Sequence, residues 1–375
     1  MNRKQFLWLM LAVVLLGGAG LALFWKDLTA YRDSGAKIGK PLLPALKISD
    51  VARLRLQDAD HEVTLAIKDK VWRVEQRGGY PADFSEISGL ILKLLDAKVT
   101  QSETVGASLH GRLNLLAPDK GGKNGAKEGV GTLVELGDAG GKVLASMILG
   151  KVALKKDPVN PLPNARDGVP AGRHILVAGH GDQVVVVSDP LEKAVARPGA
   201  WVARDFFKAE RIRSLQVTGA DKSEWKISRD EEWGQWKLAG GGTLDPSAAV
   251  SANNALSNLS FTDVVLDDTT GTDKAVTLVA ETFDNLTYTI KLGPQANGDY
   301  VLRYKVSGEP PKVRKPEAKE KPEDAAKRDK EFAETRQRLA ARVMLEQARS
   351  QWAYVVPGKQ VAPLLVKRAQ LVVHR

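Results

Sequence analysis

The chain has 375 residues, 43% of them hydrophobic and 27% charged, which is enough for two or three domains with cores of their own. It contains no cysteine, so disulfides, thiolate metal sites and cysteine nucleophiles are excluded. The net charge of +10 comes from 55 basic and 45 acidic residues. It is spread thinly apart from a basic segment near 305–350, and no Lys/Arg stripe interleaves with aromatics, so nucleic acid is not an expected partner.

Phe6 to Phe24 is a continuous apolar stretch. A helix of that length spans roughly 28 Å at ~1.5 Å per residue, close to the hydrocarbon thickness of a bilayer. Arg3 and Lys4 precede it, and Trp8 and Trp25 suit the two interfaces. The stretch is longer than the apolar region of a cleaved signal peptide, and no small-x-small site ends it. The expectation is therefore an uncleaved anchor over residues 1–26, single-pass through the inner membrane via residues 6–24, with the body outside the cytoplasm. Gly35, Gly39, Pro41 and Pro44 mark residues 27–46 as a linker.

A first α+β repeat is expected over 47–205. Val51, Leu54 and Leu56 open it, and Val63, Leu65 and Ile67 alternate with polar neighbours as a strand does. Asp69-Lys70 is a turn before the strand Val71–Val74. Ile87, Leu90, Ile91, Leu94 and Leu95 then recur at helical spacing. The glycine-rich run from Lys120 to Gly129 lacks the Gly-Lys-Ser/Thr ending of a phosphate loop and is followed by strands, so it reads as a hairpin-flanking loop. Those strands are Thr132–Leu136 and Val143–Leu149. A hairpin follows, His174–Ala178 and Gln183–Val187, across Gly179–Asp182. Asp189 to Val195 is predicted as a short helix, and Trp201 to Phe207 as a seam.

The order then recurs over 206–375. Ile212, Leu215 and Val217 match the opening strand, and Trp236 matches Trp72. Pro246 matches Pro81, and Val250, Ala255, Leu256 and Leu259 carry the second helix. Val276–Val279 and Thr287–Leu292 match the first hairpin, with Leu292-Gly293 in register with Leu149-Gly150. Tyr300–Val306 and Trp352–Val356 match the last two strands. A charged insertion, 309–350, separates them. The fold class expected is α+β, an N-terminal transmembrane helix followed by two related antiparallel-sheet-plus-helix domains in tandem.

No catalytic constellation stands out. Among His61, His110, His174, His180 and His374, none has a metal-ligand spacing such as H-E-x-x-H. Asp267–Asp273 is acidic but lacks the spacing and distal Glu of a calcium loop. No Ser lies in G-x-S-x-G. No catalytic, metal or cofactor residue is therefore assigned. Trp72 and Trp236 are expected in the cores, leaving Trp225 and Trp233 as candidate exposed contacts. In the insertion, Glu323 to Ser350 has high helix propensity and no Pro or Gly. Phe332, Leu339 and Val343 lie near one face, interrupted by Arg336. The expectation is a protruding charged helical arm. Its replacement from Pro310 to Arg349 by a short turn would leave the fold intact, and Phe332, Leu339 and Val343 are its candidate partner contacts.

The basic, apolar N-terminus, the Val71–Val74 strand, Pro81-Ala82-Asp83 before a Leu-rich helix, Leu149-Gly150 and Trp201-Arg204-Asp205 together resemble the bacterial domain of unknown function 4340 family. The resemblance covers nearly all of residues 1–305, and the 309–350 insertion departs from it. It implies a non-enzymatic, membrane-anchored subunit in the periplasm or extracytoplasmic space, with an ABC-type or gliding-motility-type transport system as membrane partner. The alternative is a module binding cell-wall glycan or peptide through exposed aromatics.

Overall fold

The computed structural model describes residues 38–118, 128–155, 168–179, 181–266, 274–314, 316 and 320–373. The chain is α+β, with two antiparallel sheets and few helices. One unit comprises Met1–Gln76 with Ala82–Trp201, and the other Arg77–Pro81 with Val202–Arg375. The predicted membrane span at 6–24 lies outside the described residues. Among those described, no helix is long and apolar enough to cross a membrane.

In the first unit, β1 (Arg53–Gln57), β2 (Glu62–Lys68) and β3 (Val71–Val74) form an antiparallel meander. Asp69 and Lys70 both have positive φ, 53° and 64°, the geometry whose twist matches that of a two-residue hairpin. The two-residue strand β4 (Tyr80–Pro81) is counted with the second unit. Helix α1 (Phe84–Asp96) and strands β5 (Val99–Thr104), β6 (Thr132–Gly137), β7 (Val143–Lys155), β8 (Val169–Val177) and β9 (Gln183–Val187) follow. Within this unit the strands run β3-β2-β1-β6-β7-β8-β9-β5. Leu54 lies opposite Leu65 and Leu136, and Leu56 opposite Val63 and Val134. Because side chains alternate along a strand, these register partners share one face, and all six are fully buried. Helix α1 buries Ile87, Leu90, Ile91 and Leu94 at i, i+3, i+4 and i+7. Asp83 Oδ1 caps it by accepting from the N–H groups of Ser85 (2.9 Å) and Glu86 (3.3 Å).

The short helix predicted over Asp189–Val195 is absent. Leu191 adopts φ 50°, and its N–H donates to Asp189 Oδ1 at 2.7 Å. The half-buried guanidinium of Arg173 donates to the carbonyls of Gly150 (2.9 Å), Pro190 (3.4 Å) and Leu191 (3.2 Å). These bonds hold the segment as a turn, so a tertiary contact overrides the local helical signal. Gly150 is required where it stands, because a Cβ there would lie 2.4 Å from the Leu113 carbonyl oxygen. Burial lowers the Arg173 pKa from its ordinary value, against the nearby Glu192. Arg173→Met keeps the stem and strands three carbonyls. It is expected to destabilise the first unit by about 2–3 kcal/mol, measured by urea unfolding.

The second unit contains β10 (Ile212–Thr218), β11 (Glu224–Ser228), β12 (Lys237–Leu238), α2 (Pro246–Ser257), β13 (Asp263–Val265), β14 (Val276–Thr282), β15 (Leu286–Pro294), β16 (Tyr300–Gly308), α3 (Pro322–Arg349), β17 (Ala353–Val356) and a short α4 (Gly358–Val361). Its strand order, β12-β11-β10-β14-β15-β16-β17-β13, matches that of the first unit position for position. Helix α2 is capped by Asp245, which accepts from Ser247 N–H at 2.8 Å, with Pro246 in the first turn. The equivalence is therefore between the caps Asp83 and Asp245. Pro81 and Pro246 do not correspond, since Pro81 lies in β4, before its cap, and Pro246 after its own. Ala249, Ala252 and Leu256 are the buried residues of α2, while the expected core residue Val250 is 50% exposed. The chain after β17, whose Val361, Leu364 and Leu371 are buried, returns to this helix. Asp245 N–H donates to the Leu371 carbonyl at 2.8 Å.

Candidate functional site

The feature that sets the second unit apart is the connection between β16 and β17. The first unit joins the corresponding strands, β8 and β9, across residues 178–182 alone, whereas the second inserts α3, a 28-residue helix of about 42 Å. Its residues buried outright are Val343, Glu346 and Arg349, one turn apart near its C-terminal end. Before it, the chain folds back along the helix. Arg314 donates to Glu320 (2.8 Å) and Asp329 (2.9 Å), and Arg336 to the Lys312 carbonyl (3.2 Å).

The seat of α3 is aromatic. Tyr288, Tyr304 and Tyr354 are buried on the sheet, and Phe207 lies 4.5 Å from Tyr304 and 5.7 Å from Tyr288 between ring centroids. Phe206 is 4.6 Å from Tyr354, and Tyr80 meets Trp352 edge-on at 5.1 Å. Each of the three tyrosine hydroxyls has a defined acceptor on α3. Tyr288 donates to Glu346 Oε2 (2.9 Å), Tyr304 to the Glu346 carbonyl (2.9 Å) and Tyr354 to the Arg349 carbonyl (2.8 Å). The last carbonyls of a helix have no partner within it, and here the sheet supplies two of them. Burial raises all three phenol pKa values.

Glu346 is 3% exposed. Besides Tyr288, it accepts from Lys208 N–H at 3.2 Å, and Arg342 Nε lies 3.5 Å from its Oε1. Arg342 also pairs with Glu210 at 2.7 Å, and Arg349 with Asp205 at 3.2 Å. Desolvation lifts the Glu346 carboxyl above the ordinary carboxylate range, against the pull of Tyr288, Lys208 N–H and Arg342. The arrangement is a buried, largely satisfied polar knot, and its chemistry is that of a fastening.

The sequence candidates do not converge on one site. Trp233 is 92% exposed. Trp225 is 4% exposed, its Nε1–H donating to the Val366 carbonyl at 2.9 Å, which removes it as a surface contact. The register explains why. Trp225 faces Val217 on β10, in the place Val63 holds opposite Leu56 in the first unit. Trp236 is half-buried beneath the Arg229 guanidinium, 4.6 Å from its ring centroid, while Trp72 is 9% exposed. Val343 is core at 5%, and Phe332 and Leu339 are half-buried. The insertion is therefore no dispensable arm throughout, because its last turns complete the core of the second unit.

Sequence reasoning missed the knot. A signal for it was present, since Val343, Glu346 and Arg349 continue one helical stripe, and Tyr288 and Tyr304 occupy core positions of their strands. Among the described residues no group of three or more His, Asp or Glu is placed to hold a metal. His174 Nδ1 bonds the Lys151 carbonyl at 3.1 Å, and His110 Nε2 the Val105 carbonyl at 2.9 Å. His180, Asp267–Asp273 and most of the Lys120–Gly129 run lie outside the described residues. No family model, curated protein or solved structure matches the chain.

Two outcomes follow from this geometry. A carboxyl whose pKa is raised on folding favours the folded state at low pH, and that contribution is lost as pH climbs from about 4.3, the unfolded value, through the folded one. Glu346→Gln is expected to flatten the decline of the second unit's stability above about pH 4, read from melting temperatures across pH. Separately, Trp225→Ala is expected to cost about 3–5 kcal/mol and Trp233→Ala less than about 0.5 kcal/mol, compared by denaturant unfolding.

Proposed function

We propose that the chain is a non-enzymatic, membrane-anchored extracytoplasmic subunit of an ABC-type transport or cell-envelope assembly, built from two copies of one α+β unit that arose by duplication. The observation that carries the interaction role is α3. It is fastened at its C-terminal end by Glu346, Arg349 and three tyrosines, while most of Pro322–Arg338 is exposed. A helix held rigidly at one end and solvated along the rest presents side chains to a partner at little entropic cost. On its outer side Met344 and Leu345 are 71% and 48% exposed. The anchor rests on the apolar run 6–24, and the transport link on the family resemblance. A glycan- or peptide-binding role has the exposed Trp233 in its favour.

Replacing residues 310–333 by a short Gly-Ser turn, with Glu334–Arg349 kept, separates arm from fastening. The tagged full chain, extracted from bacterial membranes in mild detergent, is expected to elute with a membrane-spanning transporter component. The shortened chain is expected to keep its melting temperature and lose that component. Full retention of the component by the shortened chain would overturn the arm's role. A mature protein that begins near Trp25 and needs no detergent would overturn the anchor.

A further inference from the structure

The face of the second sheet opposite the aromatic core is open. Register places Lys226, Gln216, Val279, Thr289 and Lys305 in one row across five strands, a span of ~19 Å at ~4.8 Å per strand. The next row holds Glu224, Thr218, Thr277, Lys291 and Arg303. Lys291 and Lys305 are exposed and Lys226 half-exposed, and none of the three forms an ion pair among the described residues. Two acidic groups share this face, and of these Glu281 is paired with a cation. Glu224 accepts from Gln216. Glu281 accepts from Ser214 at 2.8 Å and pairs with Arg213 at 3.4 Å, and these contacts, together with the nearby charge of Lys226, lower its pKa. Lys291 and Lys305 lie on the adjacent strands β15 and β16, diagonal to one another.

The corresponding face of the first unit has different chemistry. Arg55 there is neutralised by Glu62 (2.6 Å) and Glu135 (2.8 Å). The register partners equivalent to Lys291 and Arg303 are Ile148 and Leu176. The basic face is thus a property of the second unit and not of the fold.

We infer that this open face, with Lys226, Lys291 and Lys305 set among Thr218, Thr277, Thr287 and Thr289, binds an acidic polysaccharide. The lysines meet carboxylate or phosphate groups along an extended chain, and the threonine hydroxyls and Gln216 exchange hydrogen bonds with its sugar hydroxyls. A bilayer surface fits less well, because interfacial binding draws on aromatic and large apolar side chains, and Val279 is the one apolar residue in these two rows. The inference does not depend on the membrane anchor or on α3.

The full chain in neutral detergent is titrated with polygalacturonate, with dextran as the uncharged glycan and phosphatidylglycerol vesicles as the anionic surface. Binding to polygalacturonate but not dextran is expected, and it weakens with added salt. Lys291→Gln with Lys305→Gln is expected to weaken it about three- to tenfold at unchanged melting temperature. Lys327→Gln with Lys330→Gln, which removes the same charge from exposed α3 positions, is expected to leave it unchanged. Equal losses from both pairs, no binding of polygalacturonate, or binding of the vesicles that depends on Lys291 and Lys305 in place of polygalacturonate, would each overturn the inference.

Discussion

The second unit depends on how a helix end is buried. Taking the C-terminal turns of α3 out of water desolvates carbonyls that no later N–H in the helix can satisfy, and each left unmet costs about 1–3 kcal/mol. Tyr304 and Tyr354 meet the carbonyls of Glu346 and Arg349, and Tyr288 meets the Glu346 carboxylate. A tyrosine suits this task, because its ring packs as core while its hydroxyl reaches a polar atom. Phe206, Phe207 and Phe261 fill the space between those rings without bringing further polar atoms that would need partners. The polar knot and the aromatic core are therefore one construction.

The same strand order is closed in two ways. In the first unit, Arg173 on β8 reaches three carbonyls, including two in the turn after β9, and a short β8–β9 connection suffices. In the second, the equivalent connection carries α3, and the charged groups that close the unit, Arg342, Glu346 and Arg349, lie on that helix. Both solutions leave a charged group partly or wholly dry, and in both the cost is offset by bonds to backbone atoms. The core positions of β1 and β10 are conserved in character between the units, with Leu54 and Leu56 matched by Leu215 and Val217.

Much of the fold was legible in the sequence, because period-2 alternation and helix caps are local signals. The strands around Val63–Ile67 and Thr287–Leu292 announced themselves through alternation, and the Asp69-Lys70 turn through its place between two strand-like runs. What failed depended on distant residues. Asp189–Val195 reads as helix until Arg173 is placed beside it. Trp225 reads as a surface aromatic until register sets it over Val217 and beneath Val366. Val250 reads as core, but α2 turns the small residues Ala249 and Ala252 inward. The candidate site was less legible than the fold, since a stripe of Val343, Glu346 and Arg349 looks solvated unless tyrosines from two strands and a third near Arg349 are known to converge on it.

Burial and exposure constrain the two faces of each sheet differently. On the inner face a substitution changes packing in a close-packed interior, so shape and polarity are held within narrow limits. On the open face most substitutions cost less than about 0.5 kcal/mol, so the surface can change while the strand order stays. Arg55 and Glu135 in the first unit stand where Gln216 and Val279 stand in the second, and Ile148 and Leu176 where Lys291 and Arg303 stand. Two units with matching topology have thereby come to present one largely neutralised surface and one basic surface. Differences of this kind arise where the fold does not demand a particular residue, and they are the places in this chain where a binding role is to be sought.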